Sequence, residues 1–316
     1  MDFGFSLPTR GPLATAEDVT AIARAGEDLG FGHCTVNDHI VLPRKVGSVY
    51  PYSQTGEWPG GAVGDWLDPL GLLCFVAGAT RRVRLLTSII VIPYRPVLVQ
   101  AKLLTTVDVL SHGRLLIGCG VGWMKEEFEA LDVPFAARGR MADEYLTAFK
   151  ELWRSDDPAF AGEFVNFSGI AFAPKPVQKP HPPFWIGGES PAALRRTARL
   201  GDAWYPIGSN PRYPLDTLER YRAGVADLHR AAETAGRDPR GIGLAYSANW
   251  FSDPQATKTD DGGRRLMTGS ASAMREDVAG LAAAGVTDLV LNFNSPSRQE
   301  TIYRMAAFMS DVAPAT

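Results

Sequence analysis

Residues 83–123 read VRLLTSIIVIPYRPVLVQAKLLTTVDVLSHGRLLIGCGVGW, and this stretch decides the fold. Its first ten residues are almost all apolar and rich in β-branched side chains, which is typical of a strand covered on both faces. Apolar residues then recur at helical spacing from 96 to 110, and Gly113 suits the left-handed position that ends a helix. A second apolar strand follows at 115–119. The stretch therefore predicts a strand–helix–strand unit with a right-handed crossover.

The same alternation of strand and helix runs through the rest of the chain. Strands are predicted at residues 2–7, 33–37, 83–92, 115–119, 184–186, 202–207, 242–251 and 288–293. Helices are predicted at residues 15–29, 67–79, 96–110, 125–131, 141–153, 191–200, 215–235, 272–284 and 299–312, with breaks near Pro134 and Gly139. This order favours an α/β fold, a (β/α)8 TIM barrel with insertions that forms one domain over residues 1–316. An open doubly wound sheet is the alternative, although residues 118–122 lack the G-x-G-x-x-G spacing of a dinucleotide site.

Three segments interrupt the alternation and are predicted to be insertions. Residues 44–66 are rich in glycine, proline and aromatic side chains, which favours a lid or binding loop, with a passive surface flap as the alternative. Residues 155–183 contain a small hairpin over 160–172 and a proline-rich connector over 174–183. Residues 252–270 are polar, rich in glycine and predicted to be mobile.

The composition excludes several classes of protein. The 316 residues are 45% hydrophobic and 21% charged, with a net charge of -3 and an isoelectric point near 6.0, so no basic face for nucleic acid is expected. No apolar run has the length of a membrane span. The N-terminus resembles a first strand without a basic leader, and the three cysteines lie in apolar segments, so we expect a cytoplasmic protein with reduced thiols. Cys and His show no metal-ligand spacing, and no metal site is predicted.

Candidate site residues follow the ends of four predicted strands, where the active site of a barrel lies. These segments are Asp38–His39, Thr87–Ser88, Val121–Gly122–Trp123 and Gly187–Gly188–Glu189–Ser190. His39 is the only one of five histidines that stands at a strand exit beside a carboxylate, and a neutral imidazole there could exchange a proton near neutral pH. The alternative is a structural histidine, with Asp38 as a turn residue.

Two further segments have more than one interpretation. The backbone N–H groups of residues 187–190 precede a helix and suit a phosphate, but the same pattern is a strand-to-helix turn with Ser190 as N-cap. Glu189 argues against a bare anion site unless its side chain points away. Tyr94 and Arg95 could cover a ligand or form a turn.

The motifs together resemble those of the luciferase-like monooxygenase superfamily, and within it the branch of probable oxidoreductases dependent on coenzyme F-420, a deazaflavin. The matching segments are residues 38–43 (DHIVLP), 67–69 (LDP), 87–95 (TSIIVIPYR), 110–115 (LSHGRL), 120–123 (GVGW), 174–178 (PKPVQ), 185–188 (WIGG) and 198–202 (ARLGD). They run through most of the chain and are more specific for the superfamily and its barrel than for the cofactor.

The resemblance implies roles for individual residues. Ser88 and Ile89 match the site of a non-proline cis peptide behind the deazaflavin ring. The pair Asp38 and His39 matches the reactive ring edge, with Thr87 beside it. The remaining implied cofactor contacts are Val121, Gly122 and the phosphate loop Gly187, Gly188, Glu189 and Ser190. Trp123 stands where sugar-phosphate dehydrogenase relatives carry a glutamate acid, which favours a flatter, more apolar substrate.

The favoured hypothesis is an F-420-dependent oxidoreductase in which His39 handles the proton that accompanies hydride transfer and Asp38 orients His39 or the ring. The predicted substrate pocket consists of Leu7, Tyr50, Trp58, Trp66 and Trp123, with Tyr52 in the same loop. One alternative is an FMN-dependent monooxygenase, and another is a barrel that binds a flavin without catalysis. The expected partners are a small-molecule substrate, a separate flavin or deazaflavin reductase, and a second copy of the chain in a homodimer.

Overall fold

The computed structural model describes residues 1–60, 66–248 and 257–313. The strands are β1 (Asp2–Ser6), β2 (His33–Val36), β3 (Arg84–Val91), β4 (Leu115–Gly120), β5 (Phe160–Ala161), β6 (Asn166–Phe167), β7 (Phe184–Gly187), β8 (Ala203–Tyr205), β9 (Gly243–Ala248) and β10 (Asp288–Leu291). The α-helices are α1 (Ala16–Asp28), α2 (Pro69–Ala79), α3 (Val97–Leu110), α4 (Lys125–Ala130), α5 (Arg138–Arg154), α6 (Pro191–Leu200), α7 (Leu218–Thr234), α8 (Ala271–Ala283) and α9 (Arg298–Asp311).

Eight strands form a closed parallel barrel in the order β1-β10-β9-β8-β7-β4-β3-β2. The predicted (β/α)8 barrel is therefore confirmed, and the open sheet is wrong. The unit over residues 83–123 contributes β3, α3 and β4, and β3 pairs with β4 from Leu85 opposite Leu115 onward. Their register shifts between Thr87 and Ile90. His112 and Gly113 have φ of 58° and 80°, so the predicted left-handed end of α3 is also confirmed.

The period-two alternation of the strands divides the core into two layers. Outward residues such as Phe5 and Ile117 pack under the surrounding helices. Inward residues fill the barrel itself: Leu86, Leu116, Trp185, Ala203, Tyr205, Ala245 and Val290. Each fully buried aliphatic side chain contributes about 1.5–3 kcal/mol.

His33 is an unusual member of the barrel interior. Its side chain is 1% exposed, and neither ring nitrogen has a hydrogen-bond partner. The rings of His33 and Trp185 pack edge to face, with 5.7 Å between their centroids. A Cβ added to Gly4 would lie 2.2 Å from His33 Nε2. Burial lowers the pKa of His33 to about 3, although Asp288 Oδ1 lies 3.8 Å from its Nδ1. The imidazole is therefore neutral in the folded protein over most of the pH range.

Helix α5 corrects one sequence prediction. It begins at Arg138 and passes through Gly139, where the sequence predicts a break. Arg196 Nη2 donates to the Gly139 carbonyl at 3.0 Å, and a Cβ at Gly139 would lie at an ordinary contact distance of 3.5 Å from this nitrogen. Gly139 therefore lies within α5 and takes part in a contact between α5 and α6.

The structure describes the three predicted insertions in whole or in part. Strands β5 and β6 form the predicted antiparallel hairpin outside the barrel, and the Glu144 carboxylate accepts hydrogen bonds from the backbone of residues 163–165. Residues 249–251 of the predicted seventh strand, 252–256 of the predicted polar insertion and 61–65 of the predicted lid lie outside the described residues. In the described parts of the chain, none of the helices combines the length and the apolar character that crossing a membrane requires.

Candidate active site

The predicted pair Asp38 and His39 lies just after β2, but its two side chains face different partners. The Asp38 carboxylate is buried and accepts hydrogen bonds from the Val91 backbone N at 2.9 Å and from both terminal nitrogens of Arg95 at 2.8 Å. Arg95 also donates to Asp68 at 2.6 Å. Burial raises the pKa of Asp38 even though the Arg95 guanidinium opposes the rise. Asp38 therefore braces the segment after β3 and does not orient His39, which corrects that expectation.

The carboxylate that holds His39 belongs to Glu127 on α4. Its Oε2 lies 2.7 Å from His39 Nδ1 and accepts the Tyr94 hydroxyl at 2.9 Å, and its Oε1 accepts the Ile40 backbone N–H at 2.7 Å. The Glu127 side chain is fully buried, and the His39 side chain is 10% exposed. Tyr94 thus supports this buried carboxylate, and Arg95 pairs with Asp38.

Glu127 was absent from the sequence-based candidates. Its one positional signal is that α4 follows the end of β4 and Trp123 directly. The segment KEEFEA of α4 has the composition of a solvated helix face, and nothing in its spacing shows that Glu127 turns inward while Glu126 does not.

Aromatic rings of the lid surround His39. The ring centroids of Trp58 and Trp66 lie 5.1 and 4.7 Å from that of His39. Trp123 lies 5.8 Å from Trp58 and 5.1 Å from Tyr50. The structure therefore brings four of the five predicted pocket residues into one aromatic cluster, in which Trp58 and Trp66 contact the imidazole. The Trp66 Nε1–H is buried without a hydrogen-bond partner, so the cluster contains an unused donor.

The predicted lid is anchored near its base by Glu126 on α4. The Glu126 carboxylate accepts the backbone N–H groups of Gly47 and Ser48 at 2.6 and 2.9 Å and the Ser48 hydroxyl at 2.7 Å. Farther along the lid, burial raises the pKa of the Tyr52 hydroxyl.

The register shift in β3 produces one wall of the mouth. The peptide between Ser88 and Ile89 is cis, as the family resemblance implies, and the Ser88 hydroxyl lies 2.8 Å from that of Tyr205. Ile89 is partly exposed and lies over the glycines of the next two strands. A Cβ at Gly120 would meet its Cδ1 at 1.6 Å, and one at Gly187 would meet its Cγ2 at 3.2 Å. These glycines keep a flat apolar surface at the carboxyl end of the barrel.

Not every predicted contact residue faces this mouth. Thr87 is fully buried and donates its hydroxyl to the Gly118 carbonyl at 2.9 Å, so it belongs to the sheet. Leu7 directly follows β1, is 3% exposed and packs in the hydrophobic core with Phe3 and Phe5. Its place in the substrate pocket stays a prediction.

The loop after β7 is divided between internal contacts and exposed backbone. Ser190 caps α6 by accepting the Ala193 N–H at 3.2 Å. The Glu189 carboxylate is buried and accepts Ile207 N at 2.7 Å and Asn210 Nδ2 at 2.9 Å, and burial raises its pKa to about 7. The Glu189 side chain thus contacts the loop after β8 and points away from the backbone of Gly187 and Gly188. Glu189 therefore does not argue against an anion at that backbone. Gly187 and Gly188 leave partly exposed backbone.

The remaining candidates complete the wall beside β4. Val121 is partly exposed, and the small recess beneath it is lined in part by Gly120, Gly187 and Arg196. Gly122 has φ of 79°, and a Cβ there would meet the Phe128 ring at 2.6 Å, so this turn requires glycine. Across residues 1–60, 66–248 and 257–313, no group of three or more acidic, histidine or cysteine side chains is arranged to hold a metal ion.

These surfaces fit a planar ring compound. The cis segment of β3 and the side chain of Ile89 would lie behind such a ring, and Gly120 on β4 and Gly187 on β7 leave the room that the Ile89 side chain occupies. The backbone at Gly187 and Gly188 would meet a polar or phosphorylated tail. The imidazole of His39 and the aromatic lid would face the reacting substrate.

Comparison with known proteins identifies a family and a shared fold. Residues 1–289 match the family described as luciferase-like monooxygenase. An uncharacterized protein of Mycobacterium tuberculosis (strain ATCC 25618 / H37Rv) is 30% identical over 277 residues, which is 87% of this chain and 84% of that protein. An FMNH(2)-dependent dimethylsulfone monooxygenase of Pseudomonas putida is 30% identical over 198 residues, 62% of this chain and 52% of that enzyme.

A solved structure extends the likeness over the whole fold. An F420-dependent secondary alcohol dehydrogenase, in complex with an F420-acetone adduct, superposes with a TM-score of 0.76 and covers 99% of each chain. Its sequence identity is 16%, so this likeness shows the fold alone.

Proposed function

The chain belongs to the luciferase-like monooxygenase family, and from that premise we propose that it is an oxidoreductase dependent on coenzyme F-420 that exchanges hydride with a small apolar or aromatic substrate. The observation that carries this proposal is the His39–Glu127 pair under an aromatic lid, at the same end of the barrel as Ile89 and its neighbouring glycines. A hydride-transfer site needs a place for a planar donor and a group that exchanges the accompanying proton.

The cofactor would be held by the residues that form the wall. The surface of Ser88 and Ile89 lies at the end of β3, and the backbone of Gly187 and Gly188 lies at the end of β7. When bound, a deazaflavin supplies hydride chemistry and reacts poorly with oxygen, whereas reduced FMN activates oxygen. The protein supplies placement, exclusion of water and a proton carrier.

The chain's own residues define the substrate side. Trp58, Trp66 and Trp123 offer flat apolar surface close to His39, which favours a flat substrate over a sugar phosphate. The unpaired Trp66 Nε1–H fits a hydrogen-bond acceptor on that substrate, such as a carbonyl or hydroxyl oxygen. His39 would give or take the proton, and the lid would keep water from the reacting atoms.

The second candidate function is an FMN-dependent monooxygenase that receives reduced flavin from a separate reductase. The observation that favours it is the identity of 30% to the FMNH(2)-dependent dimethylsulfone monooxygenase. The two candidates need the same planar pocket, and the cofactor decides between them.

The deciding experiment is a pair of titrations of the purified protein, one with F-420 and one with FMN, in which binding is measured by the quenching of tryptophan fluorescence. The proposal expects tighter binding of F-420 and anaerobic oxidation of reduced F-420 by members of a panel of aromatic aldehydes and cyclic ketones. Tight FMN binding with oxygen-dependent turnover would support the second candidate and reject the first. Binding of either cofactor without any turnover would favour a carrier.

His39→Asn provides a matched variant for this assay. The asparagine amide can still donate to Glu127, so the buried carboxylate keeps a partner while the proton carrier is lost. We expect turnover to fall far more than cofactor affinity. Equal losses in both would make His39 a binding residue.

A further inference from the structure

Glu127 is a buried carboxylate with donors on both of its oxygens. Oε1 accepts the backbone N–H groups of Ile40 at 2.7 Å and Val41 at 3.2 Å. Oε2 lies 2.9 Å from the Tyr94 hydroxyl and 2.7 Å from His39 Nδ1. A backbone N–H group can only donate a hydrogen bond. A carboxylate that faces donors at both oxygens needs no hydrogen of its own, so these contacts fit the ionised form of Glu127. Each neighbour of Glu127 therefore supplies hydrogen to it.

This arrangement determines which nitrogen of His39 carries hydrogen. A neutral imidazole has one N–H and one bare nitrogen, and the nitrogen that faces an anionic oxygen at 2.7 Å must carry the hydrogen. Within the described residues, the other nitrogen, Nε2, has no hydrogen-bond partner, and the ring lies against Trp58 and Trp66. The free nitrogen is thus the one available to a bound molecule.

We propose that Glu127 is the positioning residue of the site: it fixes His39 with hydrogen on Nδ1, so that Nε2 is the atom that takes the substrate proton and, once protonated, returns it. The proposal rests on the proposed function for the purpose of that proton, but the tautomer itself is a property of the protein without cofactor or substrate. Glu127 does not touch the reacting atoms and acts through His39.

The same carboxylate also holds the residues that lead from His39 into the lid. Ile40 and Val41 directly follow His39, and their N–H groups share Glu127 with the imidazole. The adjacent Glu126 binds the lid further along, at Gly47 and Ser48, and does not contact His39. Two neighbouring glutamates therefore fix the lid, but only one of them can set the tautomer, which makes Glu126 a matched control.

Glu127→Gln is the informative change. The glutamine carbonyl can replace Oε1 and keep the N–H of Ile40, while its amide nitrogen takes the place of Oε2. That nitrogen donates, so His39 Nδ1 must become an acceptor and the hydrogen moves to Nε2. The side chain keeps its size, but the imidazole presents the opposite hydrogen-bonding character to the substrate.

The test is long-range ¹⁵N–¹H correlation spectroscopy of the full chain labelled with ¹⁵N-histidine, with His39→Asn to assign the signal among five histidines. We expect hydrogen on Nδ1 of His39 in the wild type and in Glu126→Gln, and on Nε2 in Glu127→Gln. A wild-type His39 with hydrogen on Nε2 overturns the proposal, and so does a tautomer that Glu127→Gln leaves unchanged. Should Glu127→Gln fail to fold, the wild-type spectrum decides alone.

Kinetics then separate this proposal from the proposed function. With F-420 bound, Glu127→Gln should lower kcat by about 10²- to 10⁴-fold, the usual contribution of a positioned acid or base, with little change in the Kd of F-420. A large loss of F-420 affinity with unchanged kcat would contradict the positioning role. If neither F-420 nor FMN binds the wild type, the proposed function fails while the tautomer result still stands.

Discussion

Replacement of His33 tests how strongly the barrel interior excludes charge. Its ring is buried without hydrogen bonds, and its pKa is lowered from 6.5 to about 3 by burial. In the unfolded chain the ring gains a proton below pH 6.5, but in the folded protein it does so only near pH 3. Unfolding therefore takes up a proton between these values, and stability falls as the pH decreases through this window.

The size of the effect follows from the shift. One pKa unit corresponds to about 1.4 kcal/mol, so at pH 5, which lies 1.5 units below the unfolded pKa, His33 lowers the free energy of unfolding by about 2 kcal/mol. His33→Phe keeps a flat ring but cannot titrate. When the pH is lowered from 7.5 to 5.0, we expect the free energy of unfolding to decrease by about 2 kcal/mol less in His33→Phe than in the wild type. Asp288 titrates in both proteins, so its contribution largely cancels in the difference.

The assay is urea unfolding at the two pH values, with midpoints and slopes fitted for wild type, His33→Phe and the control His229→Gln on the partly exposed face of α7. The control should keep the wild-type pH dependence. An identical loss of stability in His33→Phe and wild type would refute the argument, since it would mean that the buried ring is protonated as easily as in water.

Three more perturbations follow from the contacts described above. Burial raises the pKa of Glu189 from 4.5 to about 7, so its ionisation destabilises the folded protein as the pH rises through that range. In urea unfolding, Glu189→Gln should be more stable relative to wild type at pH 8 than at pH 4 by up to about 3 kcal/mol, and equal differences at both pH values would contradict this. Gly120→Ala would place its Cβ against Ile89, and we expect a loss of about 1–3 kcal/mol in urea unfolding, with an unchanged midpoint as the contrary result. Arg95→Gln leaves the buried Asp38 without its ion pair and should cost about 3–5 kcal/mol, whereas a loss below about 1 kcal/mol would show that Asp38 is not held by charge.

The fold could be predicted from the sequence because its signals are local and repeated. A long β-branched run such as residues 83–92 is compatible with few structures, and its alternation with helical spacing leaves the parallel barrel as the simplest closed arrangement. The differences concern single residues. Gly139 lies inside α5, where its carbonyl accepts a hydrogen bond from Arg196, and such a tertiary contact has no sequence signal.

The sequence indicates where the candidate site residues lie, but it does not indicate which side chains form hydrogen bonds with each other. The rule that strand ends carry the site points to the neighbourhood of His39 and to the loop after β7, and the roles of these residues stay predictions. Neighbours in sequence, however, can face different partners, as Asp38 and His39 do. Glu127 lies 88 positions from His39 in the chain, and only the folded barrel brings the two together.

The two glutamates at the start of α4 have a consequence for protein engineering. They clamp residues 40–48 to the barrel through backbone amides, which any amino acid except proline provides at the clamped positions. The aromatic tip beyond the second clamp, residues 49–60, is thereby separated from the anchoring chemistry. Residues 49–60 could therefore be replaced to change the substrate preference while His39 keeps its hydrogen bond to Glu127.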